Sequence, residues 1–186
     1  MDHPKPVFPE IYETYHAPIL RYLSRFLGPS EAEDVTQEVF IKVSKSMDDF
    51  RGDAKLSTWI YRIATNAAID KMRGNKTRPP AAHDWDPDAP VKSMIIPNEL
   101  DHHLIRGEMN ECIRLVVDDL PEQYRVVLIL KDFEGLKNSE IADILGVSLD
   151  AAKVRLHRAR AKLKKDMERK CHVYLDERSE LACERK

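Results

Sequence analysis

Apolar residues recur at three- and four-residue spacing through most of the chain, a period that predicts helices rather than strands. Residues 8–27 carry Ile11, Tyr15, Ile19, Tyr22, Leu23 and Phe26 on that spacing, with Pro18 as a candidate kink and Gly28-Pro29 as the stop. Ser30 and Glu33 then form a capping-box pattern, and the helix after it turns Val35, Val39, Phe40, Val43 and Met47 inward. A polar turn at 48–57 leads to a third helix at 58–73, with Ile60, Ile63, Ala64 and Ala67 as its core stripe. Further on, 99–117 places Leu104, Met109, Cys112, Ile113 and Val116 on one face. Asp118 or Asp119, with Pro121 near the first helical position, starts a helix over 122–133 that Gly135 ends.

The period fails over 75–98. Pro79, Pro80, Pro87, Pro90 and Pro97 alternate there with Asp84, Asp86 and Asp88, which reads as a flexible acidic linker. The expectation is an all-α protein of two helical domains: residues 1–76, a Pro-rich linker at 77–98, residues 99–170, and an extension at 171–186.

Residues 137–165 are the most informative stretch. Asn138 or Ser139 can cap a short helix whose apolar face is Ile141, Ala142 and Leu145. Gly146 supplies a left-handed turn, Val147 plugs the gap, and Ser148 caps the next helix, which is helix-turn-helix spacing. On the second helix Ala152, Leu156, Ala159 and Leu163 form the core stripe. The opposite face carries Asp150, Lys153, Val154, His157 and Arg158, flanked by Arg155 and Arg160. From 149 to 170 nine Lys/Arg stand against three Asp/Glu, in a chain whose net charge is −2. A positive stripe on an otherwise acidic chain points to nucleic acid. Lys153, Val154, His157 and Arg158 are then groove-facing candidates, with Arg155 and Arg160 on phosphates.

Composition narrows the class. No apolar run approaches the roughly 20 residues of a membrane span, and the N-terminus has no basic-then-apolar leader, so a cytoplasmic protein without membrane insertion is expected. There is no GxxxxGK or HExxH motif and no convergent catalytic set, which argues against an enzyme. Cys112, Cys171 and Cys183 lack CxxC spacing. Cys112 reads as a small core residue. Cys171 and Cys183 would lie about 18 Å apart on a continuous helix, too far for a disulfide. Joint chemistry needs a turn between Val173 and Leu181, and the run at 176–180 has no Gly or Pro to force one. A packing or partner-contacting tail, with no metal and no cofactor, is the expectation.

Two surfaces in the first half admit two readings each. Asp34, Gln37, Glu38, Lys42 and Lys45 form a mixed-charge face that is either solvated or a docking site. Trp59, Tyr61, Arg62 and Asn66 are either core aromatics beside surface polar groups or a platform for single-stranded bases.

The segments DVTQEVFIKV, DDFRGDAKLSTWIYRIATNAAID and LPEQYRVVLILKDFEGLKNSEIADILGVSLDAAKVRLHRARAKL, in this order, resemble the extracytoplasmic-function (ECF) sigma factors, over roughly residues 8–168. The resemblance implies a promoter-specificity subunit of bacterial RNA polymerase. It makes Asp34, Gln37, Glu38, Phe40 and Lys42 candidates for docking the polymerase β′ clamp helices. It makes Lys55, Leu56, Ser57, Trp59, Tyr61, Arg62 and Asn66 candidates for capturing the melted −10 element. The helix-turn-helix would read the −35 duplex. Polymerase core, including its β flap, and promoter DNA are the implied partners, with an anti-sigma factor as a further one. The chain departs from the family pattern at Asp150-Ala151-Ala152 and at Val154, and the tail lies outside the shared core. The rival reading is a helix-turn-helix regulator that binds an operator without polymerase.

Overall fold

The computed structural model describes residues 7–47, 50, 54–74, 111–175 and 181–185. The chain divides into two compact units. Both are helical, with a two-stranded hairpin after the last helix. The linker expected at 77–98, and the part of the fourth helix expected at 99–110, lie outside the described residues.

The first unit packs α1 (Phe8–Leu23), α2 (Pro29–Ser46) and α3 (Leu56–Gly74) on one another. Helix α1 runs through Pro18 and stops at Leu23, four residues before the end its periodicity predicts. The Ser24 hydroxyl donates to the Leu20 carbonyl at 2.8 Å, and the chain tightens so that Phe26 N–H bonds Leu23 O. Helix α2 begins at Pro29, which loses nothing at N1 because the N–H there is unpaired anyway. Ser30 is therefore already inside the helix, and the expected Ser30–Glu33 capping box is absent; Gly28 is the cap, with no side-chain bond.

Ile19, Tyr22, Leu23, Val35, Val39, Val43, Ile60 and Ala64 make the centre of this unit. Ile63 and Met47, expected inward, are only half-buried. Tyr22 puts a hydroxyl in the core and satisfies it against Thr65 Oγ1 at 2.8 Å, while Thr65 also reaches Tyr61 O at 2.7 Å. Removing that hydroxyl leaves Thr65 with its backbone partner only, so Tyr22→Phe is expected to cost about 1 kcal/mol. Tyr22→Ala also opens a cavity and should cost about 3–5 kcal/mol. Urea denaturation followed by circular dichroism checks the gap between the two.

The second unit holds α4 (Glu111–Asp118), α5 (Glu122–Leu128) continued by a π-helical turn (Ile129–Phe133), α6 (Asn138–Leu145) as far as Ala142, and α7 (Leu149–Lys170). Pro121 caps α5 without a side-chain bond, so neither Asp118 nor Asp119 serves as expected. Gly135, at φ +69°, takes the left-handed step that ends the π turn. Glu140 reaches back to the Lys137 amide at 2.9 Å and opens α6 in place of an Asn138 or Ser139 cap. Gly146, at φ +64°, makes the tight turn, Val147 N–H bonds Ala142 O, and Ser148 Oγ accepts from the Ala151 amide at 3.1 Å. Ala152, Leu156, Ala159 and Leu163 are all buried, as their spacing requires. Each leucine contributes about 1.5–3 kcal/mol by leaving water.

Helix α7 ends at Lys170, where Cys171 is already extended. Strand β1 (Cys171–Leu175) pairs antiparallel with β2 (Leu181–Arg185), Val173 opposite Cys183 and Cys171 opposite Arg185. The two strands run in opposite directions although the sequence between them has no Gly or Pro, and the 18 Å separation of a continuous helix does not apply.

Candidate nucleic-acid and polymerase surfaces

Helix α7 is positioned by its apolar stripe and by charged pairs along its edges. Lys153 is exposed beside Asp150 at 3.2 Å. Val154, His157 and Arg158 are half-buried on the same face. Arg155 lies at the border of the stripe, where burial lowers its pKa from the usual value and Tyr124 acts in the opposite sense. An arginine stays protonated under that shift, so the cost of burial is carried as desolvation.

Arg160 is held within its own unit. Its Nε donates to Asp132 Oδ2 at 3.3 Å, and its terminal nitrogen bonds Asp132 Oδ1. The Asp132 side chain is only 5% exposed. This fork joins α7 to the π turn 28 residues earlier in the sequence. Arg160 therefore stands as a positioning residue first, with little of its guanidinium left for a phosphate. Lower on α7, Asp166 is buried between Lys162 (2.8 Å) and Arg169 (3.7 Å), and Lys170 bonds Asp119.

In the first unit α2 turns Asp34, Gln37, Glu38 and Lys42 to solvent. Phe40 is not among them. It is 3% exposed, with its ring 5.0 Å from Tyr12 and 5.8 Å from His16. Ile41, which periodicity passed over, is 54% exposed in the middle of that polar face. Its helical spacing from Gln37, Glu38 and Lys45 was the available signal, because an isoleucine there breaks an otherwise charged row.

Lys55, just before α3, and Trp59, Arg62 and Asn66 on it follow one another at four-, three- and four-residue steps and so share a line along the helix. Lys55, Arg62 and Asn66 are exposed, and Trp59 is half-buried against Phe50, ring centroids 5.2 Å apart. Leu56 and Ser57 are half-buried at the helix start. Tyr61 leaves this surface: it is 7% exposed and meets Tyr22 edge-on at 5.1 Å, as the core-aromatic reading has it. The adjoining loop residues 48–49 and 51–53 lie outside the described residues. Among the described residues no group of three His, Cys, Asp or Glu gathers that could hold a metal ion. No described helix is long and apolar enough to cross a membrane.

Residues 11–78 match the family model Sigma-70 region 2, and residues 110–163 match Sigma-70, region 4. The chain is 33% identical to RNA polymerase sigma factor SigZ of Bacillus subtilis, over 90% of each chain. It is 34% identical to the ECF RNA polymerase sigma factor SigW of the same organism, over 86% of this chain and 88% of that one. The ECF RNA polymerase sigma-E factor of Escherichia coli K12 is 30% identical over 78% of each. The fold is similar to CnrH in complex with the cytosolic domain of CnrY (TM-score 0.62, 24% identity, 87% and 88% covered). It is also similar to RpoE in complex with the anti-sigma factor NepR from Bartonella quintana (TM-score 0.63, 20% identity, 87% and 96% covered). Two consecutive sigma-70 regions, the second carrying a cationic helix-turn-helix, make the chain a transcription-initiation factor. The chain belongs to the sigma-70 family, as an ECF sigma factor. It is a DNA-binding, polymerase-associated initiation factor and not an enzyme, which decides against an operator-binding regulator.

The Arg160–Asp132 fork yields a prediction with two readouts. Arg160→Ala strands a buried carboxylate and is expected to lower stability by about 3 kcal/mol, the low end for a broken buried pair. The salt dependence of −35 duplex binding should keep its slope, whereas loss of a phosphate contact lowers it by about 0.9. Fluorescence anisotropy across a salt series, beside a urea melt, measures both.

Proposed function

We propose that the two units divide promoter recognition between duplex and melted DNA. The observation that carries this reading is a pair of solvent-facing stripes on separate units. Lys153, Val154, His157 and Arg158 on α7 suit the major groove of a −35 element, the cations on base edges and phosphates, and Val154 against a thymine methyl. Arg155 supports them at the border. Lys55 just before α3 and Trp59, Arg62 and Asn66 on it, with Leu56 and Ser57 at its start, suit unpaired bases of a −10 element. The ring stacks, the guanidinium meets phosphate, and the amide reads a base edge. Unstacking a base costs a few kcal/mol, so a site that accepts it selects sequence while holding the bubble open. Tyr61 acts from beneath by fixing the angle of α3.

The α2 face of Asp34, Gln37, Glu38 and Lys42 is the docking surface for the polymerase β′ clamp helices. Ile41 is its apolar anchor and Phe40 its buried support. The second unit meets the β flap. That the similar RpoE was solved with an anti-sigma factor supports such a partner here too. The protein acts in the cytoplasm, where the polymerase is.

Run-off transcription with purified core polymerase on a promoter library tests the assignment. Transcripts should start downstream of one shared two-part motif. Arg158→Ala should weaken −35 binding by about 1–3 kcal/mol and relax preference at one base position. Asn66→Ala should leave −35 binding intact and reduce permanganate reactivity of unpaired thymines. Ile41→Asp should lower affinity for core polymerase without lowering the melting temperature, since the side chain is exposed. Equal loss on all sequences in Arg158→Ala would remove the groove assignment.

A further inference from the structure

The face of α7 that carries Val154 and His157 also carries a carboxylate to which the promoter assignment gives no task. Asp150, Val154 and His157 follow one another at four- and three-residue steps, so they share one line along the helix. Asp150 is the first of them, in the opening turn of a 22-residue helix and two residues after the Ser148 cap. A recognition helix lays its N-terminal residues on base edges. A helix seated in the groove on Val154 and His157 therefore carries Asp150 in with them. The Asp150 side chain is 89% exposed, and its Oδ1 stands 3.2 Å from Lys153 Nζ. An exposed pair of this kind adds little to stability. Beside a row of phosphates the carboxylate is repelled, so it weakens binding to any sequence unless a base edge donates to it.

The pair has the spacing and polarity of one base pair's edge. In a C·G pair the cytosine N4 amino group donates to guanine O6. The major groove thus shows a donor and an acceptor side by side, at an ordinary N–H···O distance of about 2.9–3.0 Å. Asp150 Oδ1 accepts and Lys153 Nζ donates, 3.2 Å apart. Set against that edge, the carboxylate meets cytosine N4 and the ammonium meets guanine O6, with guanine N7 as a further acceptor on the lysine's side. An A·T pair in the same orientation keeps a donor, N6, and an acceptor, O4, but sets adenine N7 beside the carboxylate. The reversed pairs, G·C and T·A, turn an acceptor to the carboxylate and a donor to the ammonium.

We propose that Asp150 is a specificity-determining residue that, with Lys153, reads one C·G pair of the −35 duplex: the carboxylate accepts from cytosine N4 and the ammonium donates to guanine. This rests on the assignment of α7 to that duplex. The full-length protein is reconstituted with core polymerase and offered a promoter library randomised across the −35 element, and the bound DNA is sequenced. The wild type should show one position at which C exceeds A by roughly tenfold, and G and T by more. Asp150→Ala should flatten that position alone and bind other sequences at least as tightly, because a repelled charge has gone. Asp150→Asn should move the preference there to A, since an amide bonds adenine N6 and N7 together. Base preferences that both variants leave unchanged, or a loss spread equally over all positions, would overturn the inference while the groove assignment stands. A wild type with no preference in the duplex, left unaltered by Arg158→Ala, would remove the groove assignment and this inference with it.

Discussion

The second unit depends on the buried stripe of Ala152, Leu156, Ala159 and Leu163 on α7, a helix that packs on α5 and α4. Because successive residues turn by about 100°, that stripe alone decides which cations of α7 face water. Lys153 and Arg158 fall away from it, with the His157 imidazole between them. Arg155 and Arg160 fall on its borders, and each answers burial differently. Arg155 carries a desolvation penalty that lowers its pKa. Arg160 meets Asp132, a carboxylate buried by the π turn. Seven cations of α7 remain besides these two, so the helix can lose both to packing and still present a positive face.

The first unit uses aromatic side chains the same way. Tyr61 and Phe40 belong to stretches rich in exposed polar groups, yet both are buried, and each sits beneath a row that faces solvent. Tyr61 joins α3 to α1 through Tyr22, and Phe40 joins α2 to α1 through Tyr12 and His16. The outward rows on α3 and α2 are therefore held on rigid supports. A surface that has to compete with base stacking needs such support, because looseness in the helix would lower the discrimination between bases.

Short-range features were the legible part. Gly146, Ser148 and the stripe at Ala152 to Leu163 are decided within a few residues, and the structure has them where periodicity and turn chemistry require. Caps were less legible because alternatives stand side by side. Pro29 took the first helical position that Ser30 would have preceded, and Glu140 accepts from the Lys137 amide at the start of a helix for which Asn138 and Ser139 were the candidate caps. What pattern alone does not reveal is distance in sequence. The fork between Arg160 and Asp132 spans 28 residues, and the burial of Tyr61 depends on Tyr22, almost forty residues earlier. Ile41 was overlooked because one apolar residue in a polar row does not disturb a helical period.

The hairpin shows what local rules leave open about the tail. Helical period weakens after Lys170, and without Gly or Pro the run at 176–180 carries no turn signal, so local rules favour neither a reversal nor a strand. A lone two-stranded hairpin is marginal in water. This one has other support: β1 continues directly from α7, Cys171 is buried, and β2 packs on α4. Those contacts are tertiary, and they exist only once α4 and α7 are in place. The extension is therefore better understood as the last layer of the second unit than as an appendage. A substitution that loosens α4 should reach the end of the recognition helix through it.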